Sequence, residues 1–143
     1  MICNICRSDA ASSFKTLDNK TYWSCKVCGC KYLDQSYFID SVEEEQRYLE
    51  HNNDIKDKEY RAFLSRLADP LKEKIPLGSN GLDFGCGTGP ALADMLTQDG
   101  FKVALYDPFF FPDEGALSKQ YDFITCTETA EHFYDPFKEF NTI

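Results

Sequence analysis

Positive charge is scarce in this sequence. Its 143 residues carry 15 Lys and Arg against 24 Asp and Glu, a formal charge of −9. A nucleic-acid surface rests on clustered Lys and Arg, so this deficit argues against a large phosphate-backbone interface. Long apolar runs are missing as well. No stretch of about 18 or more apolar residues occurs, which leaves no candidate for a membrane span. The opening residues, Met1-Ile2-Cys3-Asn4-Ile5-Cys6, lack a basic-then-apolar leader, and the expected compartment is the cytoplasm. Wholesale disorder is excluded by what is present, since 43% hydrophobic and 15% aromatic residues can fill a packed core.

An even cysteine count is also lacking. The seven cysteines stand at 3, 6, 25, 28, 30, 86 and 126, which argues against a disulfide framework. Four of them read Cys3-x2-Cys6, eighteen residues, then Cys25-x2-Cys28. Two cysteines separated by two residues can turn both sulfurs toward one point, and two such turns complete a tetrahedron around Zn²⁺. Gly29 offers a positive φ where the second turn ends. Cys30 is an alternative to Cys28 as ligand, with the x2 spacing favouring Cys28. Between the pairs, Phe14-Lys15-Thr16-Leu17, a turn at Asp18-Asn19, and Thr21-Tyr22-Trp23-Ser24 predict a hairpin. This is the layout of a zinc ribbon, expected over residues 1–35, with a structural metal because four thiolates leave no open coordination position. So short a module needs the metal as a staple. Four buried or redox-active cysteines are the alternative.

Residues 36–77 read as a helical connector. Ser41 with Glu44 three residues later has the form of a capping box, opening a helix to about Asn52. Tyr60, Phe63, Leu64, Leu67, Ala68 and Leu71 form one apolar stripe of a second helix. Pro70 predicts a break there, with Asp69 capping a new short helix. The connector either packs on the next domain or acts as a lid, in which case Tyr48 and His51 reach a ligand.

The most informative stretch is Gly81-Leu82-Asp83-Phe84-Gly85-Cys86-Gly87-Thr88-Gly89-Pro90. An apolar run enters three alternating glycines, and the helical pattern Ala91-Leu92-Ala93-Asp94-Met95-Leu96 leaves, with Pro90 expected at the first helical position and Gly100 at the end. Phe101-Lys102-Val103-Ala104-Leu105-Tyr106-Asp107 then predicts a second strand ending in a carboxylate, 22 positions after Gly85. Such a β-α-β unit lets backbone approach a nucleotide while the acid accepts hydrogen bonds from ribose hydroxyls. A dinucleotide fingerprint needs its third glycine at position 90, where Pro90 stands; this disfavours a nicotinamide-dependent oxidoreductase.

Gly-x-Gly-x-Gly preceded by Asp83 and followed by Asp107 resembles the first motif of class I S-adenosylmethionine-dependent methyltransferases. Tyr121-Asp122-Phe123-Ile124-Thr125-Cys126-Thr127-Glu128, followed by Glu131-His132 and Asp135-Pro136, resembles the strand-four region of the same family. The resemblance covers residues 81–141, and the cysteine ribbon resembles the N-terminal zinc module found in some of these enzymes. It implies an α/β fold, a partial Rossmann-like parallel sheet over residues 78–143, behind the ribbon and the connector.

The resemblance further implies S-adenosylmethionine beside Zn²⁺, and a small-molecule methyl acceptor. It places residues 85–89, with Gly85, Cys86, Gly87 and Gly89, under the methionine part of the cofactor. Asp83 would help to hold the amino group, or else brace the loop locally. Asp107 would take the ribose, Pro108 to Phe110 would flank the adenine, and Thr127 and Glu128 would face the sulfonium and acceptor. Phe109, Phe110 and Phe111 are otherwise core or rim, and the thiols of Cys86 and Cys126 read as small buried hydrophobes. A base is needed only where the acceptor must lose a proton; His132, Glu128 and Glu131 are the candidates, His132 being alternatively a pocket-wall residue.

Two departures from the family shape the expectations. The link from Asp107 to Tyr121 is too short for a full third strand, so that strand should be vestigial or absent. The family continues beyond strand four, so this chain is expected to be an N-terminal part of such an enzyme, with an exposed strand edge that pairs in a homodimer. A non-catalytic interaction module built from ribbon and half-sheet is the alternative function.

Overall fold

Residues 1–50 and 54–143 are described by the computed structural model. They divide into two compact units, Met1–Ser41 with Glu131–Ile143, and Val42–Ala130. Among the described residues no helix is long and apolar enough to cross a membrane.

The first unit holds a three-stranded antiparallel sheet of β1 (Ala11–Leu17), β2 (Lys20–Cys25) and β3 (Lys31–Leu33), in the order β1-β2-β3. The expected turn closes the first hairpin, with Asp18 at φ 50° and Asn19 at φ 61°. Two left-handed residues match the twist of the flanking strands, and Asn and Asp tolerate that region best after glycine. Trp23 Nε1 donates to Asp34 Oδ2 at 2.7 Å, fastening the chain that leaves β3. The buried cluster of the sheet is Cys3, Ala11 and Cys25, with Ile5, Cys6, Ala10 and Tyr32 packed against it. Apolar burial that small does not hold a module together by itself. The same unit contains α5 (Pro136–Thr142), with Pro136 at its start and Asp135 as N-cap accepting from Lys138 N at 3.3 Å.

The second unit contains α1 (Ser41–Glu50), which starts at the unit boundary, and α2 (Lys58–Lys72), β4 (Asn80–Phe84), α3 (Ala91–Gln98), β5 (Lys102–Tyr106), α4 (Glu114–Leu117) and β6 (Phe123–Thr125). The expected end of α1 near Asn52, and His51, lie outside the described residues, as does the Ser41 side chain of the expected capping box. The three strands form a parallel sheet in the order β5-β4-β6. The chain leaves β4 to one side for β5 and returns on the other for β6, so the direction of winding switches beside β4. Ligands of open α/β sheets bind outside the carboxyl ends of the strands at such a point. Between β5 and β6 only α4 and an isolated Asp107–Phe111 bridge occur, in line with the expected loss of a third strand.

Leu64 and Ala68 of α2 meet Ala91, Leu92 and Leu96 of α3, together with Phe101 and Phe123, in one buried cluster. Gly81 is required there: a Cβ on it would lie 2.1 Å from the Phe123 ring. Arg61–Asp94 at 2.7 Å and Lys72–Asp99 at 2.8 Å tie α2 to α3 and its end.

Two sequence expectations are corrected. The helix does not break at Pro70 but runs through it to Lys72, and Asp69 pairs with Lys72 at 2.9 Å instead of capping a new helix. Pro70 forfeits one backbone hydrogen bond in the last turn, while Leu71 and Ile75 continue past it the line of packing that Tyr60, Leu64 and Ala68 begin. Tertiary burial carries the helix on where local propensity predicts a stop. Pro90 is the N-cap, with Ala91 the first helical residue, one position later than expected. Gly100, at φ +94°, follows the C-cap of α3 as expected.

Candidate functional site

β4 delivers the chain into the glycine turn, and β5 anchors that turn. Gly85 has φ +74° and Gly87 φ +66°, a region in which side-chain-bearing residues are strained. A Cβ on Gly85 would also lie 2.1 Å from Thr129 Cγ2. The amides of Gly85 and Cys86 both donate to the Tyr106 carbonyl, at 2.8 and 3.3 Å. Gly87 N donates to Asp107 Oδ2 at 2.9 Å, while Asp107 Oδ1 accepts from Phe109 N at 2.9 Å and Phe110 N at 3.1 Å. One buried carboxylate therefore organises both the glycine turn and the loop after β5. A carboxylate has about four acceptor positions; three amides leave capacity on Oδ2 for one more donor.

Asp83 is 4% exposed. Burial pushes its pKa up to about 6, against the Thr125 hydroxyl and the Ala93 amide, which favour the charged form; the Asp107 charge raises it further. Thr125 Oγ1 donates to Asp83 Oδ1 at 2.8 Å. Its visible partners make Asp83 a brace between β4, β6 and the start of α3. Burial, with the charges of Asp83 and Asp107 adding to it, pushes the Cys86 thiol up to about 12, so it stays protonated at neutral pH and is no nucleophile.

Thr129 Oγ1 is placed to donate to the carbonyls of Gly85 and Thr127, both at 3.0 Å, and so fastens the chain after β6 to the glycine turn. Thr127 Oγ1 is enclosed and has no hydrogen-bond partner among the described residues. Glu128 is exposed and held at φ +53°; such strain tends to gather at functional sites. Pro108 is exposed, and the Phe109 ring lies 6.1 Å from that of Phe110 and 6.1 Å from that of Tyr48 on α1. Tyr48 thus meets the loop after Asp107.

In the first unit the sulfurs of Cys3, Cys6, Cys25 and Cys28 all lie within 4.8 Å of one another. Two of the pairs, Cys3–Cys28 at 3.8 Å and Cys6–Cys25 at 3.7 Å, have the separation expected of a zinc tetrahedron, about 3.8 Å for Zn–S bonds of about 2.3 Å. Cys30 is not in the cluster; its carbonyl accepts from Cys25 N at 3.0 Å. Ser8 Oγ lies 3.2 Å from both Cys6 Sγ and Cys25 Sγ. The Ser8 hydroxyl, with the amides of Cys28 and Val27, brings Cys25 down to about 6. The Cys30 amide pulls Cys28 down too, but burial and the other three sulfurs prevail and push it up to about 12. Four adjacent thiols cannot all ionise without a cation among them, and that is the donor set of a closed zinc site.

A family profile described as a methyltransferase domain matches residues 48–143. The chain belongs to this methyltransferase family. No curated protein and no solved structure matches it. The class I methyltransferase domain accounts for the parallel sheet and the glycine turn, and the matched residues do not include the cysteine cluster. Within the domain, hydrogen bonds link the turn at Gly85 and Gly87 to Asp107 and Thr129. Gly89 is buried, and its carbonyl accepts from Ala91 N at 2.7 Å. Glu131 and His132 belong to the other unit, in the 3-10 turn Ala130–His132, and both are exposed.

Sequence reasoning misses several members. Tyr60 reads as part of the apolar stripe of α2, yet its pKa is raised by burial and then by the charges of Asp83 and Glu128, so its phenol shares their surroundings. Thr125 and Thr129 carry no signal beyond their proximity to Thr127. Arg7 stands in no motif, although its Nη2 bridges Asp135 Oδ1 and Oδ2 at 2.5 and 2.6 Å.

Proposed function

We propose that this methyltransferase domain uses S-adenosylmethionine to methylate a small molecule, and that the same chain carries a structural zinc ribbon. The observation that carries the reading is Asp107: a buried carboxylate at the end of β5, holding the glycine turn through Gly87 and keeping acceptor capacity on Oδ2. The enclosed, unpartnered Thr127 hydroxyl supports it, since a buried polar group without a partner calls for one. S-adenosylmethionine supplies a methyl group on a sulfonium, ready for displacement by a nucleophile. Asp107 would hold a ribose hydroxyl, Gly85, Cys86, Gly87 and Gly89 would line the methionine side with backbone, and Pro108 with Phe109 would border the adenine. Asp83 would act from beneath the turn, and Thr127 would offer its hydroxyl at the end of β6. Alignment of the acceptor supplies much of the rate. Where the acceptor must lose a proton, we assign that task to Glu128 or His132.

The charge of −9 supports a small-molecule acceptor, since it opposes a polyanion. The metal belongs to Cys3, Cys6, Cys25 and Cys28, and the seven free thiols suit a reducing, cytoplasmic setting. On this reading the chain divides into ribbon 1–35, connector 36–77 and methyltransferase domain 78–143, and a second copy pairs along the outer edge of β6, a state that sedimentation velocity reads directly. Calorimetric titration with S-adenosylmethionine, S-adenosylhomocysteine and NAD tests the cofactor. Binding of the first two, weakened about tenfold or more by Asp107→Asn, is expected from loss of a charge-assisted hydrogen bond. Heat with NAD alone, or with none of the three, overturns the reading.

A further inference from the structure

The two cysteine turns share one backbone geometry and close on different residues, Arg7 and Gly29. After each Cys-x2-Cys pair the next residue takes a positive φ and donates its amide to the carbonyl of the first cysteine. Gly29 does so at φ +75° with 3.0 Å to Cys25 O, and Arg7 at φ +62° with 2.9 Å to Cys3 O. Glycine is the ordinary choice for that conformation, and arginine is strained in it. An arginine there asks for a use of its side chain, and the structure shows one. Its guanidinium bridges both oxygens of Asp135, the N-cap of α5, and lies 5.2 Å from the centre of the Phe137 ring. Gln35 Nε2 donates to the Tyr134 carbonyl at 3.3 Å, and the rings of Phe38 and Tyr134 meet edge-on at 5.7 Å. A seven-residue helix has little stability without such tertiary support.

We infer that Arg7 is the positioning residue through which the four-cysteine cluster orders α5 and the residues 131–135 before it, so that loading the cluster with metal fixes this segment. The coupling rests on the zinc reading above. Metal locks the turn that aims Arg7; Arg7 holds the N-cap; the N-cap holds α5. The segment so held is the one that carries Glu131 and His132.

Hydrogen exchange of the α5 amides in the full chain tests the coupling, with zinc-loaded and chelator-stripped wild type compared against Arg7→Gly and Arg7→Lys. Arg7→Gly suits the turn, as Gly29 does, and should bind zinc as tightly as wild type while α5 exchanges about fivefold faster or more, from the lost ion pair and ring contact. Stripping zinc should speed α5 exchange in wild type and leave it nearly unchanged in Arg7→Gly. Arg7→Lys, which keeps the charge without the planar guanidinium, should recover part of the protection. Wild-type α5 protection in zinc-loaded Arg7→Gly, or a full response to zinc in that variant, refutes the role of Arg7. A chain that takes up no zinc overturns the metal reading and the coupling with it, whereas zinc uptake with α5 unmoved overturns the coupling alone.

Discussion

Asp83→Asn should flatten part of the pH dependence of stability. In the folded chain burial raises the Asp83 pKa from 3.8 to about 6. Between those values the folded state keeps a proton that the unfolded chain releases. The stability this group contributes is therefore fully present below about pH 4 and is lost as pH rises through about 6. The rise corresponds to about 3 kcal/mol. Asparagine does not titrate in this range, yet it keeps an oxygen for the Thr125 hydroxyl, now 2.8 Å from Asp83 Oδ1. Urea unfolding of wild type and Asp83→Asn, at intervals from about pH 4 to 7, measures the difference, in which contributions common to both proteins cancel. That difference should move in favour of the variant by about 3 kcal/mol over the window. Parallel stability curves, or a drift in favour of wild type, would refute the reasoning. Thr125→Val removes a hydrogen bond that favours the charged form, so it should extend the window upward.

Gly81→Ala forces a methyl group into the Phe123 ring and should cost at least about 1–3 kcal/mol by urea unfolding. Pro70→Ala restores an amide to the last turn of α2 and should stabilise the chain by up to about 3 kcal/mol, read as a raised midpoint. Zinc analysis should give about one metal per chain, unchanged by Cys30→Ser and lost with Cys25→Ser. On the proposed zinc reading, chelation should change the fluorescence of Trp23, which stands on β2, the strand that ends at Cys25 of the four-cysteine cluster.

What is legible in the sequence is what local geometry dictates. The Cys-x2-Cys turns, the Asp18-Asn19 hairpin and the glycine turn between β4 and α3 each need a particular residue at a particular φ, and such needs are written in short motifs. The break expected at Pro70 fails because the packing line through Leu64, Ala68 and Leu71 outweighs one missing amide. Tyr60 reads only as an apolar ring, since spacing on a helix says nothing of the charges a phenol will face. The Arg7–Asp135 pair joins residues 128 positions apart, and no periodicity reports a contact of that range. Asp107 is expected to meet a ligand, whereas its service to three amides of its own chain emerges only in three dimensions.

The position of β4 between two unequal neighbours sets an order of assembly. Gly81 pairs with Val103 of β5, 22 positions on, and with Phe123 of β6, 42 positions on. Closing the longer loop costs about 0.6 kcal/mol more in chain entropy, so β4, α3 and β5 should come together before β6 joins. Strand β6 brings Phe123 against Gly81 and Thr125 against Asp83. The late step in refolding is then the one that shuts Asp83 away from water, and between about pH 4 and 6 it should draw a proton from solution as it occurs, a signal that an indicator dye in a stopped-flow mixer can follow.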